Sequence, residues 1–270
     1  AGTDGAFHLL PFHGLDVAAV LAAGFERNPA LLSRVAAGLG MPDDAARAML
    51  LTLAALHDVG KCAASFQAIC PEIAHALGVE TRGVLPYSRA LCGHDRMGLA
   101  FLERIALSGD LGRALAAARP PLRRLLFVCF TGHNGEPPQA DDWHLSRRFS
   151  GHYTEADCAA AAALAAAMAE LFGWDGSLPT RDGAERLSYL LAGLVALCDW
   201  LGSADRFEFH AEPVDLHAYF RDHALPTARA VIDERAPAPF RSAAPPPRRG
   251  FDVLFRHLAP ADDLPPPTPS

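Results

Sequence analysis

A histidine and an aspartate stand side by side in Leu56-His57-Asp58-Val59-Gly60-Lys61, where an apolar, helix-patterned stretch ends. Together they offer one imidazole nitrogen and two carboxylate oxygens at one spot, donors suited to a borderline or hard divalent cation. The same residues also make an ordinary helix cap, so the pair alone leaves both readings open. Asp199 adds weight, because it is the only formally charged residue between Leu187 and Ala204. A buried carboxylate must be neutralised, paired or bound to a cation; Arg206 or a solvent gap would be the plain alternative. His94 opens an apolar helix after Cys92-Gly93, His133 follows the apolar run Leu125–Thr131 and Gly132, and His13 precedes the apolar segment from Leu15. A lone histidine at a helix end is more often structural than a ligand. The set carries the inference, since each member stands at the end or on the apolar face of a helix.

A cation held there lowers the pKa of its water toward neutrality and so supports phosphoester hydrolysis. Lys61, the sole lysine among 24 basic residues, stands where it could meet charge gathering on phosphate oxygens; a solvated lysine is the alternative. His75, His144, His152, His210, His217, His223 and His257 lie among polar or irregular residues and are expected to be solvated. His144 and His152 flank Arg147-Arg148 and could approach a phosphate.

The elements that must position these groups read as helices. Leu50, Leu53, Ala54 and His57 repeat on one helical face after Pro42-Asp43-Asp44, a start signal. Gly60 is expected to supply the break at that helix's end. Thr154 and Asp157 form a helix-start pair before an alanine-rich stretch to Phe172, and Leu187, Leu191, Leu194, Val195 and Cys198 mark another long helix. Segments 14–26, 94–107, 121–131 and 213–233 also read as helical, and no alternating strand or internal repeat is found. Gly135-Glu136-Pro137-Pro138 is punctuation. From Ala236 the chain turns proline-rich, with a short apolar anchor at Phe251–Leu258. The expected organisation is one all-α domain over 1–235 and a linker-like tail over 236–270.

The 270 residues are half hydrophobic and one-fifth charged, enough for a substantial core. No apolar run reaches membrane-spanning length, and the opening Ala-Gly-Thr-Asp-Gly carries no secretory pattern, which leaves only a signal already removed. Cys62, Cys70, Cys92, Cys129, Cys158 and Cys198 are scattered singly, so reduced core thiols in a cytoplasm are expected. A formal charge of −7 argues against tight, unaided binding to duplex nucleic acid.

With these residues in view, the chain resembles the HD superfamily of metal-dependent phosphohydrolases, and within it the HD nuclease domain of the type I CRISPR-associated helicase–nuclease. His13-Gly14-Leu15-Asp16-Val17-Ala18-Ala19-Val20 is similar to that family's opening motif. Leu56 to Lys61, through Ser65-Phe66-Gln67, is similar to its signature segment. His94 matches the third motif, Gly132-His133-Asn134-Gly135 the fourth, and Asp199-Trp200-Leu201-Gly202-Ser203 the last. The His-Asp pair alone is moderately specific; the ordered set over residues 7 to 260 is far more so.

The resemblance implies an all-α HD-domain helical bundle with one or two ions of manganese, iron, nickel or cobalt. His13, His57, Asp58 and Asp199 would hold the first, and Asp58, His94 and His133 the second, with Asp58 bridging. Asp58 and Lys61 would act in catalysis. The implied activity is hydrolysis of single-stranded DNA in CRISPR interference, with a superfamily 2 helicase in cis or in trans and a CRISPR RNA-guided surveillance complex as partners. One departure stands out: the family commonly has a second histidine where this chain has Asn134. An amide oxygen is a weaker ligand for a borderline metal, which puts the second site in doubt. An HD phosphohydrolase of nucleotides and a metal-weakened docking domain remain the competing readings.

Overall fold

Every regular element of the computed structural model is helical among the described residues, which are 7–105, 119–132, 149–235 and 237–241 with Gly112, Leu115 and Ala117. The first helix, α1 (Leu10–Arg27), is buried at every position from Gly14 to Phe25. A helix apolar all round belongs in a core. Here α1 packs against α3 (Asp43–Ala55), α10 (Arg181–Gly202) and α12 (Leu225–Arg235). Each fully buried Leu or Phe along it contributes roughly 1.5–3 kcal/mol. Helix α2 (Pro29–Leu39) lies against α3 and ends on left-handed Gly40.

After α3 the chain makes a turn through Leu56, His57 and Asp58 and a 3-10 turn at Val59–Cys62. Short helices α4 (Ala64–Gln67), α5 (Pro71–Ala76) and α6 (Arg89–Cys92) lead to α7 (His94–Ile105), which packs on that 3-10 turn. Helix α8 (Pro120–Thr131) joins α7 to α10. The Thr154 hydroxyl and the Asp157 carboxylate cap α9 (Glu155–Phe172) reciprocally, as the sequence predicts, and α9 covers α3 and α7. The segment read as one helix over 213–233 is α11 (Leu216–Tyr219) and α12, joined by a wide π turn at Phe220–Ala224. Pro226 accounts for it: without an N–H, and with a ring that crowds the carbonyl four residues back, it cannot sit in an undisturbed α-helix.

Residues Pro237 to Arg241 fold back along α1. The Asn28 amide donates to the carbonyls of Pro239 (3.0 Å) and Arg241 (3.2 Å). Phe240 is fully buried against Gly24, where a Cβ would come within 2.4 Å of its ring. The proline-rich tail from residue 242, with its Phe251–Leu258 anchor, lies outside the described residues. Cys92, Cys129 and Cys198 are buried, whereas Cys62 and Cys158 are half-buried and Cys70 is exposed, so not all the thiols are core thiols. No helix among the described residues is long and apolar enough to cross a membrane.

Candidate metal centre

Four segments far apart in sequence meet at one point because backbone approaches backbone there. His13 is the fourth residue of α1, and Gly14 beside it faces the end of α3, where a Cβ would fall 2.2 Å from the Ala55 carbonyl oxygen. The close approach brings His13 to the His57–Asp58 turn. Gly60 does the same on the other side: a Cβ there would lie 1.8 Å from the His94 carbonyl oxygen and 2.5 Å from the Gly98 nitrogen. Gly60 therefore does not cap α3, as its sequence position suggests; it lets α7 close onto the turn. Gly60→Ala meets backbone atoms that cannot rotate away. Overpacking of this kind costs about 1–3 kcal/mol, so a lowered melting temperature and weaker metal retention are expected. A variant that melts and loads as wild type does would refute this contact.

The donors form a ring in which nitrogen and oxygen alternate. His13 Nε2 lies 3.4 Å from Asp58 Oδ2 and 3.4 Å from Asp199 Oδ1. His57 Nε2 lies 3.4 Å from the same Asp58 oxygen and 3.5 Å from the same Asp199 oxygen. One donor each from His13, His57 and Asp199 fall within 4.8 Å of one another. Two donors bound to one first-row cation at ~2.1 Å lie ~3.0–3.4 Å apart, from octahedral to tetrahedral angles, so these spacings match the upper end of that range. The donor set fits a borderline divalent cation.

The surroundings orient these donors. The His57 Nδ1–H donates to the Ala54 carbonyl at 2.8 Å, which turns the Nε2 lone pair toward the ring of donors. Ser203 donates to Asp199 Oδ1 at 3.3 Å, giving the Gly202-Ser203 turn a role. Asp58 is divided between two neighbourhoods. Its Oδ2 faces His13, His57 and the Lys61 ammonium, and its Oδ1 lies 3.3 Å from His94 Nε2. Tyr87 Oη sits 3.3 Å from His94 Nδ1, and the Phe66 ring meets the His94 ring edge-on. His57 and Asp58 are sealed, while His13 and Asp199 keep about a fifth of their side-chain surface, so the centre opens to solvent on the side of α1 and α10.

Charge balance shifts every group. Burial alone would push His57 down, but Asp58 and Asp199 outweigh it and raise the imidazole to about 9. Burial works against His13 as well, and its bonds to Asp199 and Asp58 leave it raised. Burial would raise Asp58 and Asp199; the two histidines reverse this and hold both carboxyls well below their ordinary range. His94 is lowered, chiefly by burial, so it is a neutral donor at neutral pH.

Of the residues singled out from sequence, His13, His57, Asp58, Lys61, His94 and Asp199 come together. His133 and Asn134 lie outside the described residues, as do His144, His257 and the Arg147-Arg148 pair. Lys61 is not a solvated lysine but an ion-pair partner of Asp58. Arg206 pairs with Glu234 rather than Asp199. His152 and His210 are half-buried, against expectation: Ser65 N–H donates to the His152 carbonyl, and His210 packs on Phe12 and Tyr219. His75, His217 and His223 are exposed, as expected.

Sequence reasoning missed Asp16, which is fully buried and accepts bonds from His8 Nε2 and Tyr219 Oη, both at 3.0 Å. The His210 N–H donates to His8 Nδ1, so the other His8 nitrogen carries the proton given to Asp16. Burial raises this carboxyl, and the bond from His8 limits the rise. Like Asp199, Asp16 is a lone carboxylate in an apolar helix, and the same argument would have found it.

Comparison with known proteins adds a second line of observation. The family model described as "Cas3, HD domain" matches residues 1–208. The CRISPR-associated endonuclease/helicase Cas3 of Escherichia coli (strain K12) is 29% identical in an alignment of 245 residues that covers 83% of this chain and 28% of that protein. The chain thus spans just over a quarter of that relative's length. Its fold matches the Thermus thermophilus Cas3 HD domain crystallised in the presence of Ni2+, with 24% identity, 88% and 89% of the two chains covered and a TM-score of 0.61. It also matches T. fusca Cas3 with ADP, with 21% identity, 96% and 28% coverage and a TM-score of 0.64. At these identities the structural matches speak to the fold.

Proposed function

This chain belongs to the Cas3 HD-domain family, and from that premise we propose that it is a metal-dependent nuclease hydrolysing phosphodiester bonds of single-stranded DNA in CRISPR interference. The observation that carries the reading is the alternating ring of two imidazole nitrogens and two carboxylate oxygens from His13, His57, Asp58 and Asp199. These four would hold one divalent transition metal; manganese, iron, nickel and cobalt all suit such donors. The two-sided placement of Asp58 supports a second ion shared with His94 and, from the sequence, His133, with Asn134 as a weaker neighbour. A bound cation supplies a water of lowered pKa for attack on phosphorus.

The protein's own groups do the rest. Asp58 fixes the imidazoles in place, and His57 is aimed by the Ala54 carbonyl. Lys61, paired with Asp58, brings a positive charge beside the centre, where it can balance charge on the phosphate oxygens. Residues 1–235 would be the nuclease domain and 236–270 the approach to a helicase, supplied in cis or in trans, with a CRISPR RNA-guided surveillance complex delivering the strand. On this reading the protein would act in the cytoplasm. The formal charge of −7 agrees with a strand handed over rather than captured unaided.

Elemental analysis of the purified chain, with cleavage of circular single-stranded DNA under Mn2+, Co2+, Ni2+ and Fe2+, tests the reading. Metal retention and preference for the single strand over duplex are expected. Hydrolysis of nucleotides with DNA left intact would move the assignment to a nucleotide phosphohydrolase. Absence of both metal and hydrolysis would leave a docking domain.

A further inference from the structure

Helix α10 supplies the Asp199 ligand, and it also carries the two most exposed large hydrophobic side chains among the described residues: Tyr189 is 92% exposed and Trp200 78%. At 100° and 1.5 Å per residue, positions eleven apart lie on the same helical face, ~16 Å apart along the axis. Gly193 and Ala196 fall between them on that face. Gly193 is exposed, and a Cβ placed there would meet nothing within 4 Å. No Asp, Glu, Lys or Arg occurs from Ser188 to Cys198. Between its two rings this face of the helix therefore carries small, uncharged residues. Singly scattered apolar side chains on a surface call for no explanation; two aligned rings leading to a ligand-bearing turn do.

We propose that this face of α10 is a stacking track for the bases of a single nucleic-acid strand, with Trp200 holding a base beside the scissile phosphate and Tyr189 holding one several nucleotides away. The proposal deepens the nuclease reading and rests on it. Continuity with the centre is the first argument. Trp200 is the residue after Asp199, and the centre opens on that side, where His13 and Asp199 keep their exposed surface. Charge is the second. A chain of formal charge −7 gains little from phosphate contacts, whereas stacking on aromatic rings needs no charge and accepts any base. Spacing is the third. At the ~3.4 Å rise of a stacked strand, the distance between the rings spans about five nucleotides, and fewer if the strand is drawn out. The two ends of the strip are rings rather than leucines.

The test uses the full chain, without metal so that the strand is not cut, and a fluorescein-labelled 20-mer of thymidylate as probe. The oligomer is expected to quench the tryptophan emission of the wild type. Trp200→Ala should weaken binding by about tenfold or more, given the usual worth of base–aromatic stacking, and remove most of the quench. Trp200→Phe should restore most of the affinity, and Tyr189→Ala should cause a smaller loss. With metal added, Tyr189→Ala should raise KM for the DNA more than it lowers kcat. Both positions are exposed, so unchanged circular dichroism and metal content are expected and show that the fold is not what failed. Wild-type affinity in both alanine variants, with wild-type cleavage intact, would overturn the track and leave the nuclease reading standing. That holds equally if the variants lose only self-association or binding to a protein. A wild-type chain that neither binds nor cuts the strand under any of the metals would instead remove the nuclease reading, and the track with it.

Discussion

Asp58→Ala is expected to reduce metal-supported cleavage of single-stranded DNA by at least about a thousandfold, which corresponds to ~4 kcal/mol of activation barrier, while helix content stays at the wild-type level. Asp58 is 2% exposed. One of its oxygens faces His13, His57 and Lys61, and the other faces His94. Its loss removes a carboxylate donor and the common partner of His13, His57, Lys61 and His94. The fold should survive for two reasons. Asp58 lies in the turn after α3 rather than in a helix. His57 also loses one cause of its raised pKa but keeps Asp199 as a partner, so it is not left as an uncompensated buried cation, the costly outcome when one member of a buried pair is removed. Asp58→Asn preserves shape without charge and should be nearly as inactive. Cleavage within tenfold of wild type in either variant, measured with Mn2+ and with metal content determined in parallel, would remove the metal mechanism.

The second large effect concerns protons. Metal binding needs neutral imidazoles, yet His57 in the metal-free fold is raised from 6.5 to about 9. Binding below pH 9 must therefore expel at least that proton. Apparent affinity should rise about tenfold per pH unit for each proton released, so roughly a hundredfold between pH 6.5 and 8.5 from His57 alone. His13, also raised, would add to this. Metal-free stability should run the opposite way. The protonated His57 contributes fully below its unfolded pKa of 6.5, and that contribution, on the order of 3 kcal/mol, fades as pH climbs from 6.5 to 9. Asp58 and Asp199 are depressed, so their contribution is present above about 4 and is lost on acidification. The metal-free protein should thus melt highest between about pH 4 and 6.5, and the gain in melting temperature on adding metal should grow from there to pH 9. Calorimetric titration in buffers of differing ionisation enthalpy counts the protons; a count of zero at pH 7 would contradict the geometry.

Much of this centre was legible in the sequence because a charged or imidazole group in an apolar helix is an anomaly that needs a reason. Asp199 carries that signal, and His57-Asp58 a chemistry, in the sequence itself. The helices followed from apolar spacing and from caps such as Thr154 and Asp157. Other features were hidden for physical reasons. Gly60 reads locally as a helix terminator, and only the approach of α7, more than thirty residues later in the chain, shows that its missing side chain makes room for the His94 carbonyl. The π turn needed the combination of Pro226 with a helix held on both sides of it. Tyr87 and the Ala54 carbonyl orient His94 and His57 through contacts that no residue type announces.

The short stretch from Pro237 to Arg241 has a mechanical consequence. Phe240 is seated against Gly24, and the Asn28 amide grips the backbone on either side of it, so the polypeptide is bolted to α1 just before it runs on. Tension on the chain past Arg241 would be borne first by this bolt and passed along α1 as shear. The far end of that rod is where His13 stands.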